Sequence, residues 1–140
     1  MANILVIDDQ QCVRELLSEE LSCEGYRVEG VGDTKSISER LRFTRPDVVL
    51  LDLYLDEADG FGVFQEIKKH APDLPVIIFT AYDSYREDPR LSQAEGYVIK
   101  SVVLDELKEK VARVLKKKHA MEATPEAVPR FQASCIVRAF

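Results

Sequence analysis

Val48-Val49-Leu50-Leu51-Asp52 is the stretch that decides the fold. Four aliphatic residues in a row, with Pro46 before them and an acid after, read as a short strand buried on both faces. Ile4-Leu5-Val6-Ile7 repeats the pattern upstream and runs into Asp8-Asp9. Downstream, Val76-Ile77-Ile78-Phe79 ends on Thr80, and Tyr97-Val98-Ile99 ends on Lys100. Tyr26 to Val31 alternates as a further strand.

Helical spacing fills the gaps. Val13, Leu16, Leu17 and Leu21 share a face, and Gly25 stands just past them as a stop. Ile37 and Leu41 mark a second helix that ends before Pro46. Phe61, Phe64 and Ile67 mark a third, closed by Pro72 and Pro75. Leu104, Leu107, Val111, Val114 and Leu115 mark the last, with Lys116 to Lys118 near its end to complement the helix dipole. Tyr82 to Glu95 is the poor segment. It holds Asp83, Ser84, Asp88 and Pro89, and proline inside a helix costs about 3 kcal/mol. The helix due there is predicted to be short, broken or mobile.

Five strands alternating with helices give an α/β fold, a parallel sheet with helices on both faces. Crossovers are right-handed, and ligands sit beyond the C-terminal strand ends. Asp8, Asp9, Asp52, Thr80 and Lys100 all fall at such ends, so one cleft gathers them.

The 140 residues suit one domain, predicted over 1–119, with 120–140 as a tail without a domain of its own. A net charge of −6 argues against direct nucleic-acid binding. No apolar run approaches the roughly 20 residues of a membrane span, and Met1 to Ile7 lacks the basic start and cleavage site of a signal peptide. The expectation is a cytoplasmic protein. Cys12, Cys23 and Cys135 form no metal-type pair and read as two buried apolar side chains plus a tail thiol.

Carboxylates crowded at neighbouring strand ends repel one another, and a hard divalent cation relieves that repulsion. Mg²⁺ suits the site because it takes oxygen ligands, keeps several waters and shares phosphate oxygens. Asp9 and Asp52 would be direct ligands, Asp8 would act through a bound water, and a backbone carbonyl just after Asp52, that of Tyr54, would complete the set. Asp52 can also attack phosphorus and form an acyl phosphate. Lys100 would pair with phosphoryl oxygens, and the Thr80 hydroxyl would donate to another.

Taken in order, Asp8-Asp9, Asp52, Gly60, Thr80-Ala81 and Lys100 resemble the response-regulator receiver domain of two-component signalling, over residues 3 to about 118. The resemblance implies a flavodoxin-like, doubly wound sheet of strand order 2-1-3-4-5. It implies a sensor histidine kinase or phosphotransfer protein as phosphohistidine donor, with the receiver catalysing the transfer itself. It also implies that Thr80 moves toward the phosphoryl group, that Tyr97 swings inward behind it, and that the partner surface changes. The downstream protein is not named by the sequence, and a homodimer is left open.

Each residue has a plainer reading. Asp8 and Asp9 could cap the first helix, Asp52 could begin a turn, Lys100 could be a solvated strand end, and Tyr97 could be core. A haloacid-dehalogenase-like phosphatase wants a second aspartate where Tyr54 stands, and a nucleotide-binding domain wants a Gly-rich loop after the first strand. A receiver-like interaction module working without phosphorylation is the runner-up. Three departures from the family pattern stand out. Ser101 follows Lys100 where a cis proline is usual, so a trans bond is expected, with Ser101 free to cap the last helix. The fourth helix is weak, and Asp56 makes the rim more acidic. Tyr54 and Tyr82, two residues beyond Asp52 and Thr80, are expected to shield an acyl phosphate from water.

Overall fold

Asn3–Ile7 forms β1 and Val48–Leu51 forms β3, and they pair in parallel with Ile4 against Val48 and Ile7 against Leu51. The computed structural model describes residues 1–55, 58–101 and 103–122, with side chains to residue 120. β2 (Arg27–Val31) pairs with the other edge of β1, and β4 (Val76–Thr80) and β5 (Gly96–Ile99) extend the sheet beyond β3. The order is β2-β1-β3-β4-β5 and every pairing is parallel.

Alternation within the strands splits the core into two layers. Leu5, Ile7, Val49, Leu51 and Ile78 face α2 (Ile37–Thr44) and α3 (Gly60–His70). Ile4, Val6, Leu50, Ile77 and Val98 face α1 (Gln11–Cys23) and α4 (Asp105–Glu122). Because β1, β3 and β4 are covered on both sides, their side chains are buried almost without exception, as the unbroken apolar runs require.

Helix ends follow local chemistry. α1 stops at Gly25, whose φ of 95° closes the turn without a side-chain clash. α3 starts at Asp59, whose carboxylate accepts from the Phe61 N–H at 3.1 Å. Gly60 has no alternative there, since a Cβ would come within 2.4 Å of the Leu53 Cα. That close approach holds the loop after β3 against the start of α3, with the Gly60 N–H donating to the Leu53 carbonyl.

Between β4 and β5 no α-helix forms among the described residues. One 3-10 turn, Pro89–Leu91, takes its place, with Asp88 as its N-cap. Leu91 alone buries fully, and Tyr85 and Ala94 pack partly. This matches the sparse apolar content of that segment. At the opposite end of the sheet, Lys68 pairs with Glu95 at 2.9 Å, and Glu95 also accepts from the Val76 N–H.

Three expectations are corrected. Cys12 and Cys23 are exposed rather than buried, because they lie off the Leu17–Leu21 face of α1. Leu16 is exposed as well, at 43%. Ser101 does not cap the last helix: its hydroxyl accepts from the Val103 N–H at 3.2 Å, and α4 starts later, with the Leu104 carbonyl taking the Lys108 N–H. No cis peptide occurs among the described residues, so the Lys100–Ser101 bond is trans. Asp56 and residues 123–140, with Cys135, lie outside the described residues.

Candidate functional site

The C-terminal ends of β1, β3, β4 and β5 bring Asp8, Asp52, Thr80 and Lys100 together. Asp8 and Asp52 are nearly buried, at 2% and 4% exposure. The Lys100 ammonium reaches between them, 2.8 Å from Asp8 Oδ2 and 2.8 Å from Asp52 Oδ2. The remaining carboxylate oxygens are held by backbone. Asp8 Oδ1 accepts from the Gln10 N–H at 2.9 Å, and Asp52 Oδ1 accepts from the Tyr54 N–H at 3.1 Å. The first helix begins at Gln11 without a side-chain cap, so Asp8 and Asp9 are not serving as its caps.

Asp9 completes a triad. Asp8, Asp9 and Asp52 each offer a carboxylate oxygen, all within 4.8 Å of one another. One ammonium among three carboxylates leaves two negative charges uncompensated. Burial pushes the Asp8 carboxyl up, and its bonds to Lys100 and the Gln10 N–H only partly offset this. Burial also pushes the Lys100 ammonium down, but hydrogen bonds to Asp52 and Asp8 outweigh it and the net direction is up. The lysine gains from its two carboxylate partners, whereas Asp8 is penalised chiefly by burial and only to a small degree by the charge of Asp52. An all-oxygen donor set with that excess fits a small hard divalent cation such as Mg²⁺.

Thr80 supplies the second indication. It is fully buried, and its Oγ1 is the one buried side-chain polar atom without a hydrogen-bond partner among the described residues. An unpaired buried hydroxyl costs about 1–3 kcal/mol, so such groups are kept where something else engages them. Its strand neighbour is the end of β5, since the Lys100 N–H donates to the Thr80 carbonyl at 2.7 Å.

The rim is aromatic. Tyr54 and Tyr82 meet edge to face with centroids 4.8 Å apart, and Tyr85 lies 6.0 Å from Tyr54 and 5.0 Å from Phe61. Arg90 stacks on Phe61 at 3.7 Å. Tyr97 is half-buried on β5, and its hydroxyl donates to the Tyr82 carbonyl. The Arg86 guanidinium covers the Tyr97 ring at 5.0 Å and donates to its carbonyl. The segment that fails to form a helix is therefore anchored by rings and guanidiniums. Sequence reasoning flagged Tyr54, Tyr82 and Tyr97, took Tyr85 only as a packing residue of its segment, and missed Gln10 and Arg86. For Tyr85 and Arg86 the signal was present only as the residues of a segment unable to be helical.

A family model described as the response regulator receiver domain matches residues 4–112. The chain belongs to that family. The response regulator MprA of Mycobacterium bovis is 33% identical over 132 residues, covering 91% of this chain and 56% of the relative. MprA of Mycolicibacterium vanbaalenii is 35% identical over 118 residues, 81% of this chain and 50% of that protein. This receiver thus spans about half the length of the curated relatives it matches. Among solved structures, the response regulator TrrA of Thermotoga maritima in complex with Mg²⁺-BeF is 39% identical, with a TM-score of 0.77, covering 81% of this chain and 99% of that one. TrrA in complex with the histidine kinase ThkA is 40% identical, with a TM-score of 0.76, covering 82% and 99%. No helix among the described residues of the receiver is long and apolar enough to cross a membrane.

Proposed function

We propose that this receiver takes a phosphoryl group onto Asp52 from a phosphohistidine and uses the modified site to change its partner surface. The observation that carries the reading is the cluster of Asp8, Asp9 and Asp52, with the Lys100 ammonium set between Asp8 and Asp52. The similar regulator TrrA in complexes with Mg²⁺-BeF and with a histidine kinase supports the choice of metal and of donor.

Asp9, Asp52 and the Tyr54 carbonyl would hold Mg²⁺ directly, with Asp8 through a water. When bound, the ion neutralises charge on the carboxylates and on the incoming phosphoryl group. An Asp52 oxygen attacks phosphorus, the N–P bond breaks, and the bonding pair leaves with the imidazole, which takes up a proton. Lys100 turns from the Asp52 carboxylate to a phosphoryl oxygen. The Thr80 hydroxyl, unpaired beforehand, donates to another. The group adds roughly −1.5 to −2 of charge. As Thr80 shifts, Tyr97 leaves the Tyr82 carbonyl and turns inward, which releases the Tyr82–Arg86 segment to rearrange. A sensor histidine kinase or a phosphotransfer protein is the donor class.

Incubation with acetyl phosphate and Mg²⁺, followed by intact mass measurement, tests this. Wild type should gain one phosphoryl mass, and EDTA or Asp52→Asn should abolish the gain. No gain, from acetyl phosphate or from a cognate phosphodonor, would leave the fold working as an interaction module instead.

The Tyr54–Tyr82 pair bears on the lifetime of the acyl phosphate. Both rings are partly exposed, at 43% and 56%, and they meet across the rim. Attack by water is expected to be slow behind them, giving a phosphorylated state that outlasts seconds. Tyr54→Asn with Tyr82→Glu should shorten that lifetime at least about tenfold, roughly 1.4 kcal/mol off the barrier. Decay of the wild-type acyl phosphate within seconds would refute the shielding role.

A further inference from the structure

Arg14 lies in the second turn of α1 and turns back toward the strand ends, where its Nη1 donates to the backbone carbonyl of Asp8 at 2.7 Å. That carbonyl belongs to the peptide joining Asp8 to Asp9. The other polar groups of Asp8 are engaged as well. Its N–H donates to the Val31 carbonyl, and its carboxylate takes the Gln10 N–H and Lys100. Asp9 differs. Its carboxylate has no hydrogen bond or ion pair among the described residues, so only its backbone aims it at Asp8 and Asp52.

Two glycines make room for Arg14. A Cβ on Gly32 would stand 2.6 Å from Arg14 Nη1 and 3.1 Å from its Cζ, and one on Gly30 would meet Arg14 Cβ and Cδ at 3.2 Å. Neither glycine has a positive φ, so backbone conformation does not call for glycine at either place. Glycine weakens a strand, and Gly30 sits within the edge strand β2. A side chain at Gly32 would displace the guanidinium, and one at Gly30 would crowd the arginine stem more mildly.

Resting on the metal reading of the site, we infer that Arg14 is a positioning residue for the Asp8–Asp9 turn, and that Gly30 and Gly32 form the groove that lets it reach. Arg14 forms no ion pair with the three carboxylates among the described residues. It acts by fixing the peptide plane from which Asp9 projects. Partners behind metal ligands typically contribute 10–100-fold to affinity.

The test is Mg²⁺ titration by calorimetry on wild type, Arg14→Met, Gly32→Ala and the double variant, with Gly62→Ala as control because a Cβ there meets nothing within 4 Å. Far-UV spectra in EDTA establish that each is folded. Arg14→Met should weaken Mg²⁺ binding about tenfold. Gly32→Ala, with Arg14 intact but displaced, should weaken it in the same direction. The double variant should be no worse than Arg14→Met alone, since both changes break one interaction. The control should match wild type. Binding by Arg14→Met within twofold of wild type overturns the inference, as does a double variant whose losses simply add. Should Arg14→Met fail to fold, an unchanged affinity in Gly32→Ala overturns it. Absence of Mg²⁺ binding by wild type itself would refute the metal reading, and this inference with it.

Discussion

Lys100→Met should lower the stability of the metal-free receiver by about 3 kcal/mol at pH 7 and abolish phosphoryl uptake. Removing one partner of a buried charge pair leaves the other uncompensated, at a typical cost of 3–5 kcal/mol. The Lys100 side chain is 17% exposed and the carboxylates keep their bonds to the Gln10 and Tyr54 N–H groups, which places the loss at the lower end. Lys100 takes its raised folded value from Asp52 and Asp8 against the pull of burial, so its contribution is present in full below its ordinary value of 10.5. At pH 7 the whole difference should be visible. Acidification through the carboxylate range should shrink it, because protonated acids no longer need a cation. Mg²⁺ should restore part of the stability without restoring uptake, since the ion relieves the carboxylates but does not replace the ammonium at the phosphoryl oxygens. Urea unfolding in EDTA and in Mg²⁺ measures both. Equal midpoints for wild type and variant in EDTA would show that Lys100 is a solvated strand end after all.

The strand ends were legible because continuous burial writes itself into the sequence. The stretches Ile4 to Ile7, Val48 to Leu51 and Val76 to Phe79 are apolar at every position because helices cover both faces, and Asp8, Asp52 and Thr80 are the first residues to break those runs, as Lys100 is after β5. In a parallel sheet all such breaks face one way, so the cleft follows from the alternation itself. Helix identity was legible for the same reason. Finer placement was not. Cys12, Cys23 and Leu16 depend on the rotation of α1 about its axis, and a few apolar residues constrain that only to within a turn's width.

The segment between β4 and β5 shows the other kind of limit. Its unsuitability for a helix was plain from Asp88-Pro89 and the scarcity of apolar residues. What replaces the helix was not, because Tyr82, Tyr85, Arg86 and Arg90 find partners far away in sequence, on Tyr54, Phe61 and Tyr97. Periodicity sees neighbours three and four residues apart and is blind to such contacts. The same holds for Arg14, whose groove is built by glycines some sixteen to eighteen positions away, one within β2 and one just after it.

Asp8→Asn should give a protein more stable than wild type in EDTA and less stable in Mg²⁺. Burial holds the folded Asp8 carboxyl above its ordinary value of 3.8, so the folded state binds that proton more tightly than the unfolded chain does. Stability is therefore lost as pH rises above 3.8 and through the raised folded value, which leaves the penalty in place above that window. Asparagine removes the charge but keeps an acceptor for the Gln10 N–H, while Lys100 keeps Asp52 at 2.8 Å. The metal-free variant should accordingly melt higher. With Mg²⁺ the order reverses. At a concentration one hundred times its dissociation constant, a ligand stabilises the folded state by about 2.7 kcal/mol. If Asp8 acts through a water, losing it weakens the ion about 10–100-fold, and the same Mg²⁺ concentration then contributes only about 1.4 to 0.4 kcal/mol. The two unfolding curves should thus exchange places between EDTA and Mg²⁺. Variation in parallel, with no crossing, would mean that Asp8 is a structural acid with no part in holding the ion. A variant less stable than wild type in both conditions would mean that its pair with Lys100 outweighs its burial.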